Sequence, residues 1–299
     1  MANHKSVYFC KMLQRLRKYL SQNNLFLDDK GIIVTVSGGI DSMVLMHLMG
    51  ELKIRIAIAH CNFGLRGDES NLDEEFVRRS AEKLGLPFFS KQFDTTSFAK
   101  QTNLSIQEAA RNLRYSWFEE LIKEHKYEYY ATAHNLDDRI ETFFINAVRG
   151  SGISGLRSIK AIYGNCLRPL LFAARADIET YANNNCIPFR EDSSNLKDDY
   201  TRNKIRHHLI PSLDKIDPHF RIGLQNTLNI LSETEKFIQY EIGEKLGSYL
   251  SKNDGITRIS IDKIFSRPDS RFILFELLKI YGFSASKIED VFVSLNSES

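Results

Sequence analysis

The chain has 299 residues, enough for one large domain or two ordinary ones with a full apolar core. Its 42% hydrophobic and 26% charged content, with only 16 Gly and 6 Pro, excludes a disordered, collagen-like or low-complexity chain. The formal net charge of +2 gives no overall bias toward nucleic acid or acidic surfaces, so any such partner must be met by local segregation of charge. No apolar run reaches the roughly 18–20 residues of a membrane span, and Lys5, Lys11, Arg15, Arg17 and Lys18 stand where a signal peptide would be apolar. A cytoplasmic protein without a membrane partner is expected. Cys10, Cys61, Cys166 and Cys186 form no Cys-x-x-Cys pair, which points to reduced thiols rather than to a zinc ribbon or disulfide framework.

Along the chain, residues 32–36 form a β-branched run that leads through Ser37-Gly38-Gly39-Ile40-Asp41-Ser42 into Met43, Val44, Leu45, Leu48 and Met49 at helical spacing. Strand, tight turn and helix follow in that order. Residues 54–59 and 87–93 have the texture of buried strands around an amphipathic helix at 68–84 with an acidic first turn. Ser105-x-x-Glu108 has the form of a capping box opening a helix over 105–125, and a further strand is expected at 127–133. This alternation predicts an α/β fold, a parallel sheet with helices on both faces. After Arg149 the chain turns to Gly150-Ser151-Gly152-Ile153-Ser154-Gly155, where the sheet pattern is expected to stop. A helix at 174–185 follows. Residues 1–216 are assigned to the α/β domain and 217–299 to a small, mainly helical one with a single short strand at 257–261.

A turn between the carboxyl end of a strand and a helix N-terminus presents free backbone N–H groups and the positive end of the helix dipole, which suits phosphate. Gly38 and Gly39 allow close approach of the backbone, and the Ser37 and Ser42 hydroxyls can donate to phosphate oxygens. The Lys-Ser/Thr ending of a Walker A loop is absent, which disfavours that class of NTPase. Asp41 beside phosphates requires a bridging cation, so it is read as a Mg²⁺ ligand; the alternative is an N-capping Asp in an ordinary turn.

The string Ser37-Gly38-Gly39-Ile40-Asp41-Ser42 resembles the pyrophosphate-binding loop of the PP-loop ATP pyrophosphatases, with an adenine nucleotide alpha hydrolase-like, Rossmann-like fold. The resemblance implies ATP and Mg²⁺ as cofactors and places adenine near Ala59, His60 and Asn62. Further stretches are similar to one branch, the tRNA(Ile)-lysidine synthases. They include His60-Cys61-Asn62-Phe63-Gly64-Leu65-Arg66-Gly67-Asp68-Glu69-Ser70, Ala110-Arg111-Asn112-Leu113-Arg114-Tyr115, and Thr132-Ala133-His134-Asn135-Leu136-Asp137-Asp138-Arg139-Ile140-Glu141-Thr142. Arg168-Pro169-Leu170-Leu171, Glu191-Asp192-Ser193-Ser194-Asn195 and Arg202-Asn203-Lys204-Ile205-Arg206 continue the series in family order. The resemblance implies ligation of free lysine to carbon 2 of the wobble cytidine of an isoleucine tRNA with a CAU anticodon. Cys61 and Asn135 depart from the family pattern, which has His at both, and carry no assigned role.

Residue chemistry agrees with that implication. His134, Asp137 or Asp138, and Glu141 fall on one helix face by offsets of three, four and seven, offering carboxylates to a cationic amine that must lose a proton before attack. The bland alternative is an acidic helix start that complements the dipole. Arg111 and Arg114 are candidates for stabilising phosphate charge, or else solvated partners of Glu108 or Glu119. Residues 149–176 and 201–213 contain basic side chains and no acid, and are the expected contacts for RNA. A PP-loop tRNA thiolase using Cys61 and Cys166, and a non-catalytic tRNA-binding protein of the same fold, are the rival readings. A homodimer is left open.

Overall fold

The computed structural model describes residues 4–25, 30–190, 201–253 and 255–297. It divides into two compact units, residues 1–225 and 226–299. The stretch Glu191-Asp192-Ser193-Ser194-Asn195 lies outside the described residues.

The first unit opens with helix α1 (His4–Gln22), followed by β1 (Ile32–Thr35), α2 (Ile40–Gly50), β2 (Ile56–Asn62), α3 (Asp68–Lys83) and β3 (Phe88–Gln92). Next come α4 (Thr95–Thr102), α5 (Ile106–Glu124), β4 (Tyr129–Ala131), α6 (Leu136–Val148), the short α7 (Ile153–Leu156), β5 (Ile162–Tyr163), β6 (Cys166–Leu167) and α8 (Arg175–Asn184). After α9 (Thr201–Lys204) a π-helical turn (Ile205–Leu209) leads into α10 (Ile210–Ile216); the long α11 (Phe220–Tyr249) begins in the first unit and has most of its residues in the second. The strands form one sheet in the order β3-β2-β1-β4-β6-β5, parallel throughout except for β5.

Successive side chains on β1 supply opposite cores, as a strand with period two requires. Ile32 and Val34 join residues of α1, α2, α3 and α8 on one face, and Ile33 joins Trp117, Phe118, Leu121 and Ile122 of α5 on the other. All three β1 residues are fully buried, and each such branched side chain contributes about 1.5–3 kcal/mol. The capping box at α5 is present: the Ser105 hydroxyl accepts from the Glu108 N–H, and the Glu108 carboxylate accepts from the Ser105 N–H.

The sheet does not stop at Arg149. Cys166 and Leu167 pair in parallel with Tyr130 and Ala131, and Ile162 and Tyr163 close the edge antiparallel. Two-residue strands carry too little periodicity to register as such in a sequence. The second unit holds the hairpin β7 (Leu250–Asn253) and β8 (Ile256–Ile259) and helices α12 (Ile261–Phe265), α13 (Ser270–Ile280) and α14 (Ala285–Ser297), packed around Ile264, Leu274, Leu277 and Ile288. The strand expected at 257–261 is thus one residue earlier at its start and has a partner strand that was not expected. Among the described residues, no helix is long and apolar enough to cross a membrane.

Candidate active site

In a doubly wound sheet, ligands collect at the carboxyl ends of the strands, where the connections part to either side. Here the segments leaving β1, β2 and β4 line a cavity of ≈ 880 Å³. Its walls carry the guanidinium groups of Arg114, Arg175, Arg190 and Arg202 against the carboxylates of Asp41 and Asp138. Cations outnumber anions, the balance suited to a polyphosphate.

The phosphate loop keeps its shape by internal hydrogen bonds. The Ser42 hydroxyl donates to the Gly39 carbonyl at 2.8 Å and accepts from the Ser37 N–H at 3.1 Å. Gly38 has φ +97°, a conformation that side-chain-bearing residues avoid. Gly39 has an ordinary φ of −72° and, as N-cap, offers no side chain to the first N–H groups of α2, which leaves them for an anion. Ser37, Gly39, Ile40, Asp41 and Ser42 all line the cavity, whereas Gly38 forms the turn behind it.

Asp41 accepts from Arg175 Nη1 at 2.8 Å through Oδ2, and its Oδ1 is buried with no hydrogen-bond partner among the described residues. Burial pushes its carboxyl above the usual carboxylate range; Arg175 opposes this, Asp138 adds to it, and the nearby Asn135 side chain, short of hydrogen-bond geometry to Oδ1, also opposes it. An orphaned buried carboxylate oxygen in a phosphate cavity fits a divalent cation. No group of three or more His, Cys, Asp or Glu among the described residues is arranged to hold a metal ion.

Strand alternation separates two of the residues expected at adenine. Ala59, Cys61 and Phe63 line the cavity. His60 does not: it is buried with Nδ1 2.8 Å from the Val36 carbonyl oxygen, and burial lowers its pKa. Asn62 is likewise buried, donating to Asn71 and Glu74. The parity of β2 thus turns His60 and Asn62 away from the cavity that Ala59 lines.

The acidic group expected to face one site is divided. His134 and Asp138 line the cavity; Asp137 and Glu141 do not. Asp138 accepts from the Asn135 N–H in a capping box, which orients its carboxylate. His134 lies with Nδ1 2.9 Å from the Thr132 hydroxyl, and burial lowers its pKa to about 4 against the pull of Asp138, so its imidazole is neutral at pH 7. Asp137 accepts from the Arg175 backbone N–H at 2.7 Å and from Arg221. Glu141, 1% exposed, accepts from Arg206 through both oxygens, with Arg202 Nε at 3.5 Å. Burial raises the Glu141 carboxyl and Arg206 holds it down.

Arg114 lines the cavity with its guanidinium over the Phe63 ring, 5.2 Å from the centroid. Arg111 packs instead over Tyr115 at 4.9 Å and is not in the wall; Glu108 is occupied by its cap. Arg175, Arg190 and Phe189 were not expected here. They reach the cavity by tertiary folding from the far side of β6, and no local pattern marks them.

A PP-loop domain model matches residues 10–213, and a TilS substrate binding domain model matches residues 251–299. The chain is 36% identical to a tRNA(Ile)-lysidine synthase of Chlorobaculum tepidum, over 92% of this chain and 85% of that protein. The chain belongs to the tRNA(Ile)-lysidine synthase family. It is also 38% identical to the tRNA(Ile)-lysidine synthase of Bacteroides thetaiotaomicron, over 95% of this chain and 66% of that one, so it spans just under two thirds of the length of that relative. The U34-tRNA thiolase NcsA of Methanococcus maripaludis, described with its [4Fe-4S] cluster, superposes with a TM-score of 0.63 over 76% of this chain and 80% of that one. At 18% identity this likeness shows the PP-loop fold alone.

Proposed function

We propose that this chain is an ATP-dependent ligase that joins free lysine to carbon 2 of the wobble cytidine in a CAU-anticodon isoleucine tRNA. Codon reading changes from AUG to AUA as a result. In the first step the cytosine O2 attacks the α-phosphorus of ATP and pyrophosphate leaves. In the second, the lysine side-chain amine forms a bond to carbon 2, the carbon–oxygen bond breaks, and AMP departs with the oxygen.

The observation that carries this reading is that the Ser37–Ser42 loop and the pair His134 and Asp138 line one cavity. The loop N–H groups and the start of α2 bind the phosphates. Asp41 would hold Mg²⁺ through its free oxygen, and that ion would supply charge neutralisation of the phosphates. Arg114 stands ready for the negative charge that passes to AMP. A lysine ammonium has a solution pKa of about 10.4 and must be deprotonated to attack. Asp138 is the carboxylate placed to hold that cation and take its proton, and neutral His134 supplies a hydrogen-bonding wall beside it. The choice among Asp137, Asp138 and Glu141, open in the sequence, falls on Asp138 because it alone of the three lines the cavity, although Arg206 Nη2 lies 3.9 Å from its Oδ1.

The match of residues 251–299 to the substrate binding domain, and the acid-free stretches at 149–176 and 201–213, support tRNA as the partner and a cytoplasmic setting. Thiolation is disfavoured by the state of the cysteines: burial pushes the Cys61 thiol up to about 12 and raises Cys166 as well, whereas sulfur carriers need accessible thiolates. Incubation of the chain with ATP, radiolabelled lysine and CAU-anticodon tRNA should place label on the tRNA. An active preparation that releases pyrophosphate but incorporates no lysine would refute the reading.

A further inference from the structure

Asp73 on α3 is a buried carboxylate, 7% exposed, that the chemistry above does not use. It accepts from Arg66 Nη2 at 2.7 Å and faces Arg190 Nε at 2.5 Å. Arg190 is anchored a second time, by its backbone N–H donating to the Gly38 carbonyl at 3.0 Å. One buried carboxylate thus serves two guanidiniums, leaving the group of three with a net positive charge against the turn of the phosphate loop. A guanidinium has five N–H donors in a fixed fork; with Nε turned to Asp73, the Nη groups have no hydrogen-bond partner among the described residues and can meet an anion, and Arg190 lines the cavity.

We propose that Arg190 is a phosphate-binding residue for the β and γ phosphates of ATP and for departing pyrophosphate, and that Asp73 is the residue that positions it against Gly38. The inference rests on the loop being the phosphate cradle and not on the identity of the acceptor. The Asp73 ion pair holds the guanidinium and the Gly38 contact holds the backbone beneath it before ATP arrives, so less side-chain freedom is lost on binding. Arg175, by contrast, is committed to Asp41 and Glu179.

The test is direct binding by calorimetry, using the full chain and its Arg190→Gln variant with ATP, inorganic pyrophosphate and AMP as separate probes. Dissociation constants for ATP and pyrophosphate should rise about tenfold in the variant, the size expected for one charge-assisted contact. AMP, which lacks both outer phosphates, should bind as before. Asp73→Asn should move ATP and pyrophosphate in the same direction by less, with Arg190 still present. Should Asp73→Asn fail to fold, Arg190→Gln decides alone, because its side chain is 40% exposed and its backbone contact survives substitution. Wild-type affinity of Arg190→Gln for pyrophosphate, or equal weakening of AMP and ATP, would overturn the proposal. Loss of ATP binding by the unsubstituted chain would be the separate signature of a failed nucleotide site.

Discussion

Glu141 and Arg206 meet through two hydrogen bonds, Nε to Oε1 at 2.6 Å and Nη2 to Oε2 at 3.0 Å, although 65 residues separate them in the chain. The bond ties α6 to the π-helical turn, and Arg202 adds a second cation to the same carboxylate. Glu141→Ala leaves two guanidiniums facing an empty buried site and should cost about 1.5–3 kcal/mol of stability, read as a lower urea midpoint. If the variant keeps wild-type stability and alters only the KM for lysine, Glu141 is a substrate ligand and not a brace.

The two loop glycines should separate fold from binding. Gly38→Ala places a side chain at φ +97° and should destabilise the chain by about 1–3 kcal/mol, although its Cβ would meet Val77 Cγ2 only at an ordinary 3.6 Å. Gly39→Ala meets nothing closer than Ser37 Oγ at 3.6 Å and should keep stability within about 0.5 kcal/mol while weakening ATP binding. Chemical denaturation with parallel ATP titrations checks both.

Asp41 should link nucleotide affinity to the divalent cation. In Asp41→Asn the Mg²⁺ dependence of ATP binding should weaken by about 10–100-fold or more in metal affinity, measured by titrating Mg²⁺ at fixed ATP. Unchanged dependence means that the orphaned oxygen has another purpose.

His134 gives a pH signature with a definite sign. Its folded pKa is lowered from 6.5 to about 4, so the unfolded chain binds the proton first as pH falls. Its contribution to stability is therefore present above about pH 6.5, is lost progressively between about 6.5 and 4, and does not change further below that. His134→Gln should remove up to about one proton of slope from the stability curve in that window. Parallel curves for variant and wild type would show that the imidazole is not desolvated.

The phosphate loop was legible because everything that makes it is local: the β-branched run of β1, the glycines, and the helical spacing from Met43 onward. Ser105 with Glu108 was legible for the same reason. The parity of β2 was also present in the sequence, since Ala59 and His60 are neighbours on a strand and cannot share a face. The acids were not legible. Asp137 and Glu141 sit at favourable offsets from His134, yet their partners Arg221 and Arg206 come from 84 and 65 residues away, which no local pattern shows. Arg190 likewise becomes part of the cavity only through Asp73 and Gly38, neither of which marks it in advance.

The central claim is that nucleotide and lysine chemistry share one cavity, with Asp138 taking the amine's proton. It is tested most directly by a pulse and chase with ATP labelled at the α-phosphate, using CAU-anticodon tRNA and no lysine at first. The chain should transfer label to the tRNA, and added lysine should release it as AMP. Asp138→Asn can still accept from the Asn135 N–H, so it should fold and label the tRNA but release AMP about 10²–10⁴-fold more slowly. Release at the wild-type rate in that variant, or a wild-type chain that never labels tRNA, would contradict the account.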